Sequence, residues 1–389
     1  MKQSLKKQTT KQQSIRQLSI GLALFAVALV NQSVAQSSPR AVAGNGWQAL
    51  TKTSPTVVIG QNQTEYIAWK GANSPNVYYS IFNGSEWTPQ QEVSGASYGS
   101  SWKAQTLAPP LLVIDVVEDV FLWWQDKTGG AIMYSEWDGA SWSYPAEVSG
   151  SNWTATTNAT PAVDMPAGLV VWKDASSDTL SYTYDYDGTE NDPVWSTPQT
   201  VGGTAWTGES NVGPTLETFS QGLIPWLFWK GASSDHIWTT TVPQYEGTWV
   251  PQTKISCTDP EWTAETSLSP AAAGFAPPGV DALYDVVFWK GSSSNKVWYT
   301  YDNTAQCGRD TYGWADQAPV SGTDWAVTGE SNVAPALAFA CYLCANNTTN
   351  PFVAILAWKN ATDNTIWFIN PLYLPGLSNL AGGELQSKR

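Results

Sequence analysis

Six tryptophans recur along the chain, Trp47, Trp102, Trp153, Trp206, Trp262 and Trp325, each beside hydroxyl or amide side chains. In the later units those neighbours include a carboxylate: Thr207-Gly208-Glu209-Ser210-Asn211, Thr263-Ala264-Glu265-Thr266-Ser267 and Thr328-Gly329-Glu330-Ser331-Asn332. An indole is a large, flat apolar surface, and a carboxylate accepts strong, charge-assisted hydrogen bonds. A sugar presents the complement, an apolar C–H face rimmed by hydroxyls, and suits one aromatic platform with a few fixed polar groups. Trp206 with Glu209, Trp262 with Glu265 and Trp325 with Glu330 are therefore candidate ligand-binding pairs. The same residues have a plainer use. A repeated Trp packs one repeat on the next, and repeated Ser, Thr and Asn close turns by hydrogen-bonding the backbone. The first three units carry Lys52-Thr53, Gln105-Thr106 and Thr156-Thr157 where later units carry Glu. If Glu is required, the working sites are the later ones and the early units are degenerate.

A second set of residues follows each loop Trp. A short apolar run ends in Trp69-Lys70, Trp124-Gln125, Trp172-Lys173, Trp229-Lys230, Trp289-Lys290 or Trp358-Lys359. Nine residues after that Trp stands Tyr78, Met133, Ser181, Trp238, Trp298 or Trp367. The Trp of each Trp-Lys pair closes an apolar strand, as a buried face does. Alternation along a strand sends the Lys to the opposite face. There Lys230, Lys290 and Lys359 either donate to a ligand hydroxyl or pair with a neighbouring carboxylate. Trp238, Trp298 and Trp367 are platforms or core.

These residues need a scaffold that repeats them. The loop Trps are spaced 55, 51, 53, 56 and 63 residues apart. That period, with several short strands per unit, is the signature of a β-propeller in which each repeat is one blade. Residues 206–261 show the unit. Thr215–Phe219 is a short run after Pro214, Leu223–Trp229 is strongly apolar, and Lys230-Gly231-Ala232-Ser233-Ser234-Asp235 has turn composition. His236–Thr241 is β-branched and aromatic, and a fourth segment runs from Trp249 to Ser256. No 3.6-residue period is sustained after the N-terminus, so the chain is all-β. Five units finish alike, as in Glu92-Val93-Ser94-Gly95 and Glu147-Val148-Ser149-Gly150; the sixth lacks this ending, but Ala41-Val42-Ala43-Gly44 supplies it. The expectation is six blades, with the N-terminal strand completing the C-terminal blade and removing free sheet edges. A seventh blade would need unrecognised structure in residues 371–389.

Residues 1–35 read as a signal peptide and 36–389 as one propeller domain. Lys2, Lys6, Lys7, Lys11 and Arg16 precede an apolar stretch from Leu18 to Val30, followed by Ser33-Val34-Ala35. An uncleaved anchor is the alternative. The chain of 389 residues carries 19 basic and 33 acidic residues; cleavage removes five basic ones and leaves a net charge near −19. Such a surface avoids phosphate backbones and anionic membranes, so neither nucleic acid nor membrane insertion is expected. Four late cysteines, Cys257, Cys307, Cys341 and Cys344, suit disulfides in a secreted chain; Cys257 with Cys307 and Cys341 with Cys344 are the candidate pairs. With one His and no second Cys pair at metal spacing, no metal or cofactor is expected. Seven Asn-x-Ser/Thr sequons follow the signal.

The repeat resembles the fucose-binding lectin superfamily of β-propellers. It is most similar to bacterial lectins whose units carry Trp-Lys-Gly and then an aromatic doublet, here Trp229-Lys230-Gly231 with Ile237-Trp238 and Trp289-Lys290-Gly291 with Val297-Trp298-Tyr299. The likeness spans residues 40–370. It implies a secreted, multivalent, non-enzymatic lectin whose partners are glycans or glycoproteins. Two departures stand out. Those bacterial lectins are typically seven-bladed. The fungal six-bladed fucose lectins use Arg and Glu with aromatics, and beyond the signal only Arg40, Arg309 and Arg389 occur, none at a repeat position. Fucose specificity is therefore not implied. A protein-binding scaffold or adhesin is the alternative. Catalysis is not expected: the arginine cluster and Ser-x-Asp-x-Gly boxes of sialidases are absent, and no carboxylate pair stands outside the repeat.

Overall fold

In the computed structural model the described residues run from Ser38 to Leu372, except 61–63, 98–99, 116–118, 186–192, 218–224, 242–247, 259–260, 276–283, 295, 303–312, 322–332, 340–353, 361 and 371. The expected signal segment, Trp325, Glu330, Cys307, Cys341, Cys344 and residues 373–389 lie outside them. Residues Met1–Gln36 form a separate unit, and Ser37–Arg389 another. Among the described residues no helix is long and apolar enough to cross a membrane.

Six four-stranded antiparallel sheets are the six blades. Blade 1 consists of Thr56–Ile59, Glu65–Lys70, Val77–Phe82 and Gln91–Glu92. Blade 2 is Leu111–Ile114, Val120–Gln125, Ile132–Trp137 and Ala146–Glu147. Blade 3 is Ala162–Asp164, Leu169–Lys173, Leu180–Tyr184 and Gln199–Thr200. Blade 4 is Thr215–Leu216, Trp226–Lys230, Ile237–Thr241 and Thr253–Lys254. Blade 5 is Ala271–Phe275, Tyr284–Lys290, Val297–Tyr301 and Ala318–Pro319. Blade 6 is Ala336–Phe339, Ala354–Lys359 and Ile366–Ile369, completed by Arg40–Ala41. There Arg40 pairs with Phe368 and Ala41 with Trp367, so the two ends of the chain close the ring as expected. First strands of consecutive blades touch all round, including blade 6 against blade 1.

Alternation within each blade feeds two neighbouring interfaces. In blade 1, Ile67 and Trp69 pack toward blade 6, whereas Ala68, Val77 and Tyr79 pack toward blade 2. Blade 4 repeats this: Leu227 and Trp229 face blade 3, and Phe228 and Ile237 face blade 5. Both faces of a central strand are thus apolar, which is why the sequence shows continuous hydrophobic runs instead of alternation.

Two-stranded hairpins connect the blades: Ala43–Gly44 with Trp47–Gln48, Ser94–Ser97 with Ser100–Lys103, Ser149–Gly150 with Trp153–Thr154, Gly202–Gly203 with Trp206–Thr207, and Ser256–Thr258 with Glu261–Thr263. The loop Trp sits on the returning arm of each hairpin. The fourth strand of a blade is shorter than expected: in blade 4 only Thr253–Lys254 pairs, while Trp249 is buried in the interface with blade 3.

Candidate functional site

The hairpins build the candidate sites. The second residue after the returning arm is here called the exit residue: Leu50, Gln105, Thr156, Glu209 or Glu265. Each is bridged to the start of the preceding blade's third strand, through Thr365, Asn76, Ala131, Thr179 and His236 respectively. Its carbonyl also accepts a hydrogen bond from the next blade's turn: Ala232 N reaches Glu209 O at 3.1 Å, and Ser292 N reaches Glu265 O at 3.1 Å. The backbone of the exit residue therefore stitches two blades together, and its side chain projects at the seam. Glu209 and Glu265 are exposed there. The next residue is a buried Thr or Ser whose hydroxyl accepts from the amide two residues on, as Val212 N to Ser210 Oγ (3.2 Å) and Leu268 N to Thr266 Oγ1 (3.1 Å). These two hydroxyls are spent on turns, whereas the Glu stays exposed together with Thr207, Asn211 and Ser267.

The described loop Trps, Trp47, Trp102, Trp153, Trp206 and Trp262, are half-buried, and the placement of Trp47 and Trp206 explains a nearby glycine. A Cβ on Gly203 would lie 2.7 Å from Trp206 Nε1, and one on Gly44 only 2.3 Å from Trp47 Nε1. Only Gly leaves room for the indole to lie back across its hairpin. From there it reaches the core: Trp206 stacks on Trp229, with ring centroids 6.2 Å apart and planes 8° apart, and Trp102 on Trp124 at 6.4 Å and 2°. The Trp of each Trp-Lys pair is buried, as expected, with Trp69, Trp229 and Trp289 each 1% exposed. Trp262 packs against the cluster that holds Trp289.

Cross-strand register continues the row outward. Trp229 is opposite Trp238, and Trp238 opposite Lys254; Trp289 is opposite Trp298, and Trp358 opposite Trp367. Trp238, Trp298 and Trp367 are half-buried. The Lys254 ammonium stands 5.2 Å from the Trp238 ring centroid, covering one face of that indole.

The lysines of the Trp-Lys pairs do not line these seams. Lys230, Lys290 and Lys359 are buried. Lys230 Nζ donates to Asn211 Oδ1 (3.1 Å) and Gly231 O (3.0 Å), Lys290 Nζ to Gly291 O (3.2 Å), and Lys359 Nζ to Asn360 O (3.0 Å). An ammonium is the one side-chain group with three donors and no acceptor, and each fastens the turn after its own strand. The expectation that these donors face a ligand is corrected accordingly: repetition of Lys marks a repeated turn.

Two features escaped the sequence reading. The first is a polar hub in blade 1. Glu92 Oε1 accepts from Asn76 Nδ2 at 2.7 Å and from the Tyr78 hydroxyl at 3.4 Å, its Oε2 pairs with Lys103, and Gln105 Nε2 donates to Asn76 Oδ1 at 2.7 Å. Strand order puts these five residues 76–105 in one place, which spacing alone does not disclose. The second is a set of buried acids at the opposite ends of the blades. Glu217 follows a first strand and Asp285 opens a second strand; their carboxyls hydrogen-bond one another, and burial first, then mutual charge, holds Glu217 well above the ordinary carboxylate range. Burial also raises Asp164 and Asp302 to about 7. Among the described residues no group of His, Cys, Asp and Glu is arranged to hold a metal ion.

No family model and no curated protein matches the sequence. Solved structures do match in fold. A leech intramolecular trans-sialidase is 11% identical over 89% of this chain and 71% of its own, with a TM-score of 0.56. An α-L-arabinofuranosidase from Fusarium graminearum is 12% identical over 86% and 97%, also at 0.56. The Aleuria aurantia lectin is 10% identical over 85% and 99%, at 0.52. The chain therefore shares the β-propeller fold of these structures. The expectation of a non-enzyme is overturned: most of these neighbours are enzymes, sialidases and an arabinofuranosidase. The Glu217–Asp285 contact also supplies the carboxyl pair that the sequence reading did not find.

Proposed function

We propose that this protein binds carbohydrate at the seams between its blades, as a secreted multivalent lectin. The observation that carries the reading is that two hairpins, those of Trp206 and Trp262, each carry a half-buried indole packed on the core and, three residues on, an exposed Glu whose backbone is stitched to both blades. Rigid placement lowers the entropic cost of ordering a site, and several weak sites on one body gain avidity. The fold is shared with a lectin solved in complex with α-methyl-L-fucoside. Glycans or glycoproteins are the partners on this reading. A glycan array with the protein, beside the triple variant Glu209→Ala, Glu265→Ala, Glu330→Ala, tests it. Selective binding, lost in a variant with an unchanged melting curve, supports the lectin. Absence of binding to any glycan favours a protein-binding scaffold.

A second reading rests on Glu217 and Asp285. Glycosidases work with paired carboxyls, one of them kept protonated by its surroundings. Burial keeps a proton on the Glu217–Asp285 pair, as a general acid requires; its carboxyls are in hydrogen-bond contact, closer than the roughly 5 Å of retaining enzymes, so a substrate would have to part them. Release of the aglycone from aryl glycosides, abolished by Glu217→Gln, would establish hydrolysis; no release across sialyl, arabinosyl and fucosyl substrates would count against it.

A further inference from the structure

Around each connecting hairpin the fold brings together two positions that are distant in sequence. One is the fourth-strand residue opposite the third-strand residue Tyr78, Met133, Ser181 or Trp238: Glu92, Glu147, Thr200 and Lys254 in blades 1 to 4. The other is the exit residue of the following hairpin: Gln105, Thr156, Glu209 and Glu265. In blade 1 one side chain joins them: Asn76 donates to Glu92 at 2.7 Å and accepts from Gln105 at 2.7 Å.

The residues at these two positions complement one another. Blades 1 and 2 have Glu on the fourth strand and Gln or Thr at the exit. Blades 3 and 4 have Thr or Lys on the fourth strand and Glu at the exit. Each of the four seams thus holds one carboxylate at these two positions, never two and never none. Stability does not account for this. Lys103, the partner of Glu92, is half-exposed, and Glu147, Glu209 and Glu265 are exposed; surface pairs of this kind contribute little. A ligand hydroxyl that needs one charged acceptor, reachable from either side of the seam, does account for it. We propose that all four seams are sugar sites, and that in the first two the accepting carboxylate is Glu92 and Glu147, supplied by the blade instead of the hairpin.

The early seams are then not degenerate. Among the described seams the one between blade 6 and blade 1 is silent: its two positions are Ala41 and Leu50, with no carboxylate at either. Glu92 is ready for the role, because hydrogen bonds from Lys103 and Asn76 hold its carboxyl below its ordinary range and hence ionised.

This inference rests on the carbohydrate-binding reading, and one experiment separates the two. Native mass spectrometry counts bound sugars with the methyl glycosides of L-fucose, D-galactose, D-mannose and N-acetylglucosamine as probes. The triple variant Glu209→Gln, Glu265→Gln, Glu330→Gln should keep two sites, and adding Glu92→Gln and Glu147→Gln should remove them. Glu92→Gln alone should lose one site, and the exchange Glu92→Thr with Gln105→Glu, which copies blade 3, should restore it. A triple variant that binds no sugar although wild type does overturns the inference and leaves the lectin reading intact. An exchange that does not restore the site, with an unchanged melting curve, also overturns it. Wild type that binds none of the probes overturns both.

Discussion

Trp206 lies parallel to Trp229, with ring centroids 6.2 Å apart and planes within 8°. One ring belongs to a surface hairpin and the other to the core, so this seam, like that of Trp102 and Trp124, is anchored by an aromatic pair. Their removal should have unequal consequences. Trp229→Ala deletes a ring that is 1% exposed and should cost about 3–5 kcal/mol. Trp206→Ala forfeits the stacking, about 1 kcal/mol, with part of its burial, and should lose sugar binding at that seam. Thermal melts beside stoichiometry check both. Equal destabilisation with retained binding would make Trp206 a packing residue only.

Gly203 is the room in which Trp206 lies. Gly203→Ala would put a methyl 2.7 Å from Trp206 Nε1, so the indole must leave its stacked position. We expect a loss of about 1–3 kcal/mol, as for overpacking elsewhere, and a shift in tryptophan fluorescence toward water-exposed indole. Unchanged emission would contradict the packing.

The propeller was legible in the sequence because a period of loop Trps survives even where the blades diverge, and because Ala41-Val42-Ala43-Gly44 repeats the ending that blade 6 lacks. The core Trps were legible for the same reason: each ends an apolar run. The lysines were misread because alternation gives the face of a side chain, not its depth, and Lys230 turns back to Gly231 O instead of reaching outward. Glu92 was missed because its significance depends on Asn76 and Gln105, which come beside it only through hairpin and strand pairing. Glu217 and Asp285 belong to different blades, and no local pattern links them.

Lys230 should matter for stability and not for sugar. Lys230→Met leaves Asn211 Oδ1 and Gly231 O without their donor, which should cost about 1–3 kcal/mol. Its ion pair with the half-exposed Asp235, at 3.7 Å, adds little to that. Affinity for glycans should be unchanged. A tenfold loss of affinity in a variant of native melting temperature would return the lysine to the ligand.

Stability should fall as pH rises. Asp164 and Asp302 titrate near 7 when folded, whereas a free Asp titrates near 4. Between about pH 4 and pH 7 the folded state therefore holds protons that the unfolded state has released. Their stabilisation is full below about pH 4 and lost as pH passes 7. Burial shifts Glu217 and Asp285, which hydrogen-bond one another, in the same direction. Glu92 and Asp138 shift oppositely, but they lie at the surface and act at the acid end. Melting temperature should drop from pH 5 to pH 8, and Asp164→Asn should flatten the profile. A melting temperature that rises over that interval would contradict the buried protons.

The most direct test is a crystal structure of the protein soaked with the glycan that binds best on an array. The account predicts sugar density at the seams, over the Trp206 and Trp262 hairpins and within hydrogen-bond reach of Glu209 and Glu265. Sugar only beside Glu217 and Asp285, at the opposite ends of the blades, would contradict it and move the function to the buried carboxyl pair.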